Sequence, residues 1–151
     1  MVDSREQNPL EFHHPYITEV VRTKLDFGDY ACEYSDKTRP PLTYERKNMC
    51  DLFSTLTTGH ERFKREIQRA KKVNNVIVII IEGTFSEILH GCKHSTVDGM
   101  AIRKQLFTFQ FKYGVPFVCC ENRTSMSDYI QESYFSIGRM KKKESSEAKV
   151  N

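Results

Sequence analysis

The amino-acid sequence predicts an α/β fold in which a mixed central β-sheet is flanked by α-helices. Segments with strand character come first along the chain, and helices and strands alternate after them, which is the order expected of this class. Residues 76–81 are apolar at every position, as in a strand that is covered on both faces. A chain of 151 residues can bury one core of ordinary size, so we expect a single domain.

Short strands are predicted in the first third of the chain. β-Branched residues and adjoining turn-forming residues predict strands at 2–5, 19–25, 29–34 and 42–47. The stretch 35–41 is polar and proline-rich, which predicts a turn. We therefore expect 29–34 and 42–47 to form an antiparallel hairpin, with Tyr34 opposite Leu42.

Helical spacing of apolar residues dominates the rest of the chain. Within 60–72, for example, Phe63, Ile67 and Ala70 recur at the spacing of one helix face. The predicted helices are 48–56, 60–72, 99–113 and 127–140, and the predicted strands between them are 76–81 and 115–119. Residues 141–151 are polar and charge-rich, so we expect a tail or linker after a domain of residues 1–140.

The composition narrows the classes of protein to consider. Hydrophobic residues make up 38% and charged residues 28% of the chain, which excludes a disordered protein. The net charge of +3 permits a nucleic-acid partner without requiring one. The longest apolar run is too short to cross a membrane, so no membrane partner is expected. Five cysteines without a CxxC pair, and no signal peptide, predict reduced thiols in an intracellular protein.

Three charged residues are expected to share one surface of the predicted hairpin. Glu45 and Lys47 are two positions apart in a strand and therefore face the same side, while Arg46 faces away. In the expected register Asp29 lies opposite Lys47, so the Asp29 and Glu45 Cα atoms are diagonal neighbours about 7–8 Å apart. A register slip of one residue would turn Asp29 to the opposite face.

Two carboxylates and a lysine in this arrangement suit phosphodiester hydrolysis. Mg²⁺ or Mn²⁺ could be held by Asp29 and Glu45, polarise a phosphate and activate a bound water. Lys47 could orient that water or stabilise charge on the phosphate. From spacing alone, a solvated charge pair on a surface hairpin is the alternative. An ion pair that left no room for a metal would contradict the catalytic interpretation.

Three motifs in order carry a resemblance to a known family. They are Val2-Asp3-Ser4-Arg5-Glu6, Gly28-Asp29-Tyr30 and Glu45-Arg46-Lys47-Asn48-Met49-Cys50-Asp51. With them, the chain resembles the nuclease domain of the XPF/Hef family of structure-specific endonucleases, within the PD-(D/E)xK superfamily. The resemblance spans roughly residues 2–135 and implies a restriction-endonuclease-like core.

The resemblance also implies roles for individual residues. Asp29 and Glu45 would be metal ligands, and Lys47 the catalytic lysine. Supporting roles would fall to Asp3, Glu6, Arg46 and Asp51. We expect Asp3 and Glu6 to reach the metal through water, and Arg46 and Asp51 to form a structural pair. Ordinary exposed or capping charges are the open alternative for these four residues.

The function implied is a metal-dependent cut in branched, forked or flap DNA during repair or recombination. Such an enzyme would act inside the cell, in the nucleus, or in the cytoplasm if the protein is prokaryotic or viral. It could dimerise with itself or a relative through the nuclease domain. Two alternatives remain open. One is a catalytically silent DNA-binding subunit, although such subunits tend to lose the acidic motif. The other is a restriction-type enzyme or exonuclease on the same core.

Two further patterns concern partners and metals. The predicted helix 60–72 carries basic residues that could follow a DNA backbone, with an ordinary solvated face as the alternative. These candidate DNA-binding residues are Arg62, Lys64, Arg65, Arg69, Lys71 and Lys72. His90, Cys92 and His94 alternate as zinc ligands can, but no fourth ligand is evident at a recognisable spacing.

Overall fold

A three-stranded parallel sheet forms the centre of the protein. The computed structural model describes residues 1–147, with side chains through residue 144. Strands β3 (Leu42–Lys47), β4 (Val76–Glu82) and β5 (Phe117–Cys120) lie side by side with β4 in the middle. Two short strands, β1 (Val2–Asp3) and β2 (Arg22–Thr23), pair in parallel near the β3 edge. The helices are α1 (Met49–Leu56), α2 (His60–Lys72), α3 (Gly99–Tyr113) and α4 (Arg123–Glu147), with a 3₁₀ turn at Glu87–His90.

Helices cover both faces of the sheet, which confirms the predicted α/β class. On one face Ile77, Ile79 and Ile81 pack in a core with α1, α2 and α3. On the other face Val78 and Ile80 pack against α4 and the N-terminal segment. The continuous apolar run of β4 is thereby explained, because alternate residues of the central strand enter two different cores.

The predicted hairpin is wrong. Segment 29–34 contributes only Tyr30, which forms antiparallel bridges to Val2 on one side and to Tyr44 on the other. In the expected register Tyr30 would have faced Arg46, so the observed pairing is displaced by two residues. An even displacement keeps each side chain on its expected face. Tyr30 exchanges two backbone hydrogen bonds with Tyr44 on one edge of this segment. On the other edge Asp29 and Ala31 bond to Asp3 and Met1, so the segment lies between β1 and β3.

Several other elements differ in length from the sequence predictions, and β2 and α4 differ most. Strand β2 keeps only two residues of the predicted 19–25. Helix α4 begins at Arg123, earlier than predicted, because the Asn122 side chain accepts a hydrogen bond from the Ser125 N–H at 2.9 Å. At its other end α4 continues through Glu147, into the segment expected to be a tail. Within residues 1–147, no helix combines the length and apolar character needed to cross a bilayer.

A disulfide joins Cys50 in α1 to Cys92, 42 positions later in the chain. The prediction that all thiols are reduced is therefore wrong. Cys32, Cys119 and Cys120 are free. The bond ties the first turn of α1 to the loop after the 3₁₀ turn, and it withdraws Cys92 from the zinc site considered with His90 and His94. Spacing could not indicate this bond, because the two cysteines meet only through tertiary packing.

Candidate active site

The charged motifs converge where the parallel strands end. Lys47 is the last residue of β3, and Glu82 is the last residue of β4. The carboxyl ends of parallel strands form one edge of a sheet, and ligands of open α/β sheets commonly bind outside that edge. The fold therefore places Asp29, Glu45 and Lys47 at a position suited to binding.

Backbone contacts hold Asp29 beside β3. Its N–H donates to the Tyr44 carbonyl at 2.7 Å, and its Oδ2 accepts from the Arg46 N–H at 2.8 Å. Gly28, immediately before it, has φ +64°, and a Cβ there would lie 2.8 Å from the Tyr44 carbonyl oxygen. Only glycine satisfies both the backbone angle and the close approach. The Gly-Asp pair is thus needed to bring this carboxylate against the strand.

Glu45 and Lys47 share a face of β3, as their spacing predicts. The Lys47 Nζ lies 2.5 Å from the Glu45 Oε1, and each side chain is 12% exposed. The amine and one carboxylate are therefore paired. An ion pair that left no room for a metal would contradict the catalytic interpretation. The charges around this pair show whether a cation would be stabilised beside it.

Asp29, Glu45 and Lys47 lie close enough to shift one another's pKa values, and two of the three are acidic. Burial, followed by the nearby Glu45 charge, raises the pKa of Asp29 to about 8. Burial also raises the pKa of Glu45, although Lys47 opposes this effect. The pKa of Lys47 is raised, because the Glu45 charge and hydrogen bond outweigh the burial of the amine. Two crowded carboxylates share one amine, so an additional cation would be stabilised here.

The donor set fits a hard divalent cation. Among the described residues, no group of three or more His, Cys, Asp or Glu side chains is arranged to hold a metal ion. Asp29 and Glu45 could supply two carboxylate ligands, with water and substrate phosphate completing the coordination. Mg²⁺ is commonly bound in this way in phosphate-processing sites.

Arg46 points to the opposite face and does not pair with Asp51. Its Nη2 lies 3.1 Å from the Glu82 Oε2, and its Nη1 lies 3.8 Å from the Glu6 Oε1. Asp51 instead completes the start of α1, where its N–H donates to the Asn48 Oδ1 at 2.9 Å. The predicted structural pair is therefore wrong. Successive residues of a strand face opposite sides, so Arg46 faces away from Lys47. Asp51 instead takes part in the N-cap of α1.

Asp3 and Glu6 belong to the scaffold beside the site. The Asp3 side chain is 2% exposed and accepts hydrogen bonds from Arg5 and from the Leu25 N–H. Glu6 accepts from the Asn8 N–H at 2.8 Å and faces Arg46. Both carboxylates are thus engaged by protein groups around the loop that leads to the site.

Helix α2 contributes an acid that the sequence analysis did not single out. The Glu66 Oε1 accepts from the Gly28 N–H at 3.1 Å, and the Glu66 charge raises the pKa of Glu45 after the larger effects of burial and Lys47. Glu82, on the other face, was likewise missed as a partner of Arg46. Helical spacing places Glu66 on the flank of α2 that bears Arg62, but its contact with Gly28 depends on tertiary packing.

The basic residues of α2 divide into two groups. Glu66 contacts Gly28 beside the site, and Arg62, Arg65 and Arg69 lie on the same flank as Glu66 at helical spacing. On the other flank, the Lys64 Nζ lies 2.9 Å from a Glu61 oxygen and 5.5 Å from the centre of the Tyr113 ring. Arg62 thus lies close enough to the site for its charge to oppose the rise that burial causes in the pKa of Glu45, whereas Lys64 is engaged on the other flank.

Comparison with known proteins agrees with this architecture. Residues 2–133 match the family model described as ERCC4 domain. No curated protein sequence matches the chain.

Solved structures with the same fold come from Aeropyrum pernix. The structure described as XPF from this organism has 19% sequence identity and a TM-score of 0.61, over 92% of this chain and 64% of that chain. XPF from the same organism in complex with DNA has 20% identity and a TM-score of 0.61, over 94% of this chain and 64% of that chain. The chain therefore spans less than two thirds of the length of these XPF chains.

Proposed function

Because the chain belongs to the ERCC4 domain family and shares the fold of XPF, we propose that it is a nuclease domain and acts as a divalent-metal-dependent DNA endonuclease. The observation that carries this proposal is the meeting of Asp29, Glu45 and Lys47 at the carboxyl edge of the sheet. Burial and repulsion from a neighbouring carboxylate raise the pKa of Asp29 and of Glu45, and Lys47 is the amine beside them, so a bound cation would stabilise both carboxylates. Hydrolysis of a phosphodiester bond is the chemistry that such a site supports.

We assign Asp29 and Glu45 as the residues that would hold Mg²⁺ or Mn²⁺. When bound, the ion would polarise the scissile phosphate and lower the pKa of a coordinated water. Lys47 can donate hydrogen bonds to a phosphate oxygen or to the attacking water. Because Glu45 and Lys47 are each 12% exposed, little water screens these interactions.

The neighbouring charges act as supports in this proposal. Asp3 orders the loop that follows β1 through Arg5 and Leu25. Arg46 links Glu6 to Glu82 and so joins that loop to β4. Asp51 fixes the start of α1 next to Lys47, whose pKa it helps to raise. These contacts keep the three reacting side chains aligned.

DNA is the proposed partner, and helix α2 is its proposed path. Arg62, Arg65 and Arg69 follow one flank of the helix and lead away from Glu45, and three arginines on one flank can each neutralise a backbone phosphate. The XPF structure that includes DNA belongs to a protein with this fold. We extend the proposal to branched, forked or flap DNA as substrate, and therefore to action inside the cell during repair or recombination.

An aromatic surface on α3 supports dimerisation. Phe107 is 43% exposed and Phe111 is 79% exposed, and their rings stack with centroids 6.2 Å apart. Phe85 and Phe117 continue this aromatic group at the edge of the fold. Exposed aromatic patches of this kind are typical of protein contact sites. We propose that a second nuclease domain covers it, as a homodimer or heterodimer.

The decisive experiment measures cleavage of labelled duplex, fork, flap and single-stranded DNA with Mg²⁺, Mn²⁺ or EDTA. Wild type is compared with Glu45→Gln, which preserves the side-chain shape, and with Glu19→Gln, an exposed control. We expect Glu45→Gln to lose cleavage by at least about a hundred-fold while DNA affinity is kept, and Glu19→Gln to match wild type. Cleavage that persists in EDTA would contradict the metal mechanism.

A catalytically silent DNA-binding subunit is the second candidate. The observation that favours it is the ion pair of Glu45 with Lys47, which already neutralises one carboxylate. In that case every DNA would be bound and none cut, and Glu45→Gln would behave as wild type in binding. Retained binding without cleavage under all metal conditions would replace the endonuclease proposal with this one.

A further inference from the structure

An exposed aromatic group lies on α4, away from the candidate active site. Tyr16 stacks on Phe135 with ring centroids 4.9 Å apart and planes 4° apart, and the Tyr16 side of this stack is open, because Tyr16 is 72% exposed. His14 packs beside both rings, at 5.4 Å from Tyr16 and 5.0 Å from Phe135. Four residues further along α4, the Arg139 guanidinium lies 5.9 Å from the centre of the Phe135 ring. We refer to His14, Tyr16, Phe135 and Arg139 as the aromatic platform.

The loop that carries Tyr16 is anchored to the helix by its backbone. The Gln131 Oε1 accepts hydrogen bonds from the His13 N–H at 3.3 Å and from the His14 N–H at 3.0 Å. The His14 carbonyl then accepts from the Ile17 N–H at 2.9 Å. The open ring of Tyr16 is thus held in position before any ligand arrives, which lowers the entropic cost of binding to it.

Basic residues continue the platform along one face of α4. Positions 135, 139, 142 and 143 share a helix face at three- and four-residue spacing, so Lys142 and Lys143 follow Arg139 on the side of Phe135. Both lysines are exposed. Glu132, one turn before Phe135, and Asp128, a further turn back, place acidic side chains beside the start of this face. The surface therefore combines an open π-face with a row of mostly positive charge.

We propose that the aromatic platform binds single-stranded DNA, with a base stacked on Tyr16 and the backbone phosphates along Arg139 and the lysines that follow it. Aromatic rings beside positive charge are the general means by which proteins hold single strands without reading their sequence. Paired bases in a duplex keep their faces covered by their neighbours, so the same rings offer duplex DNA much less. The choice of DNA as the nucleic acid rests on the proposed function.

The platform lies within a few nucleotides of the carboxyl edge of the sheet, measured along α4, which covers the face opposite Glu45 and Lys47. Helix α4 begins at Arg123, shortly after β5 ends at the carboxyl edge of the sheet. Phe135 is 12 residues further along, or about 18 Å at the helical rise. At about 3.4 Å for each stacked nucleotide, roughly five nucleotides cover this distance. The unpaired arm of a fork or flap could therefore rest on the platform.

A fluorescence titration tests the proposal directly. The chain contains no tryptophan, so Tyr16→Trp introduces a single indole at the open face of the platform. With EDTA present to prevent cleavage, a ten-nucleotide oligothymidylate should quench this fluorescence, whereas a blunt duplex of equal length should quench it far less. Unchanged fluorescence, while the anisotropy of a labelled oligonucleotide reports binding, would place the single strand elsewhere and overturn the proposal.

Affinity measurements on matched variants separate stacking from packing. Tyr16→Ala should weaken oligothymidylate binding about ten-fold, the effect of losing one stacked base, and Tyr16→Phe should bind as wild type. Tyr129→Ala, another exposed aromatic of α4, serves as the control and should leave affinity unchanged. If Tyr16→Ala lowered the thermal unfolding temperature but not the affinity, Tyr16 would only hold the loop on the helix.

The salt dependence of oligothymidylate affinity tests the contribution of Arg139. Arg139→Gln should reduce the dependence of oligothymidylate affinity on salt by about one phosphate contact, and an unchanged salt dependence would remove Arg139 from the proposal. Cleavage of flap DNA with Mg²⁺ is measured separately. A protein that cuts but is not quenched refutes only the platform, whereas one that is quenched but never cuts refutes only the nuclease.

Discussion

Replacing Asp3 with asparagine is expected to lower the free energy of unfolding by about 2.5 kcal/mol at neutral pH. The Asp3 carboxylate accepts from the Arg5 Nε at 2.7 Å and from the Leu25 N–H at 2.7 Å. The Arg5 hydrogen bonds, and then Leu25, lower the pKa of Asp3 from 3.8 to about 2. The side chain is 2% exposed, so solvent does little to weaken this effect. At about 1.36 kcal/mol for each pKa unit, the shift corresponds to the stated loss.

The pH dependence of this loss has a definite sign. The folded pKa of Asp3 lies below the unfolded one, so its stabilisation is complete above about pH 5 and disappears as the pH falls toward 2. About half of it should remain at pH 3. Urea unfolding of wild type and Asp3→Asn at pH 7 and pH 3 measures both values. Asp26→Asn, at an exposed position, is the control and should cost less than about 0.5 kcal/mol.

The same variant tests whether Asp3 has a part in catalysis. If its role is to order the loop through Arg5 and Leu25, the folded Asp3→Asn protein should keep wild-type cleavage at low temperature. A loss of unfolding free energy that is equal at pH 7 and pH 3 would refute the electrostatic reasoning. A stable variant without cleavage would return Asp3 to the water-mediated metal role expected from sequence.

Two further predictions concern the backbone and the disulfide. Gly28→Ala should destabilise the protein more than Gly91→Ala in urea unfolding, although both glycines have positive φ. A Cβ at Gly28 would lie 2.8 Å from the Tyr44 backbone oxygen, whereas a Cβ at Gly91 would have no atom of the described residues within 4 Å apart from its chain neighbours. Equal losses would show that the close approach is unimportant. Thiol titration of the denatured protein should find three free thiols, rising to five on reduction, because Cys50 and Cys92 are bonded. Reduction should lower the free energy of unfolding by roughly 2–4 kcal/mol for a closed loop of this length, and five thiols before reduction would contradict the bond.

Elements with a strong local pattern were predictable from sequence. The bounds of β3, α2 and α3 agree with their predicted ranges, because backbone geometry repeats every two residues in a strand and every 3.6 in a helix. The shared face of Glu45 and Lys47 follows from the same periodicity. By contrast, 29–34 has strand-forming residues, yet it pairs only at Tyr30, where β1 and β3 both contact it. Local preference could not show that this segment lies between two strands and leaves β3 after a single residue pair.

The sequence by itself determined the α/β class and the shared face of Glu45 and Lys47, since both depend on short-range periodicity. Only the tertiary structure decided how the charged residues are engaged. It showed Lys47 paired with Glu45, Arg46 shared between Glu6 and Glu82, and Glu66 bound to Gly28. These contacts join residues that are far apart in the chain, or select one partner among several acids. Their geometry depends on how whole elements pack, because a side chain's partner is set by the three-dimensional neighbourhood that packing creates.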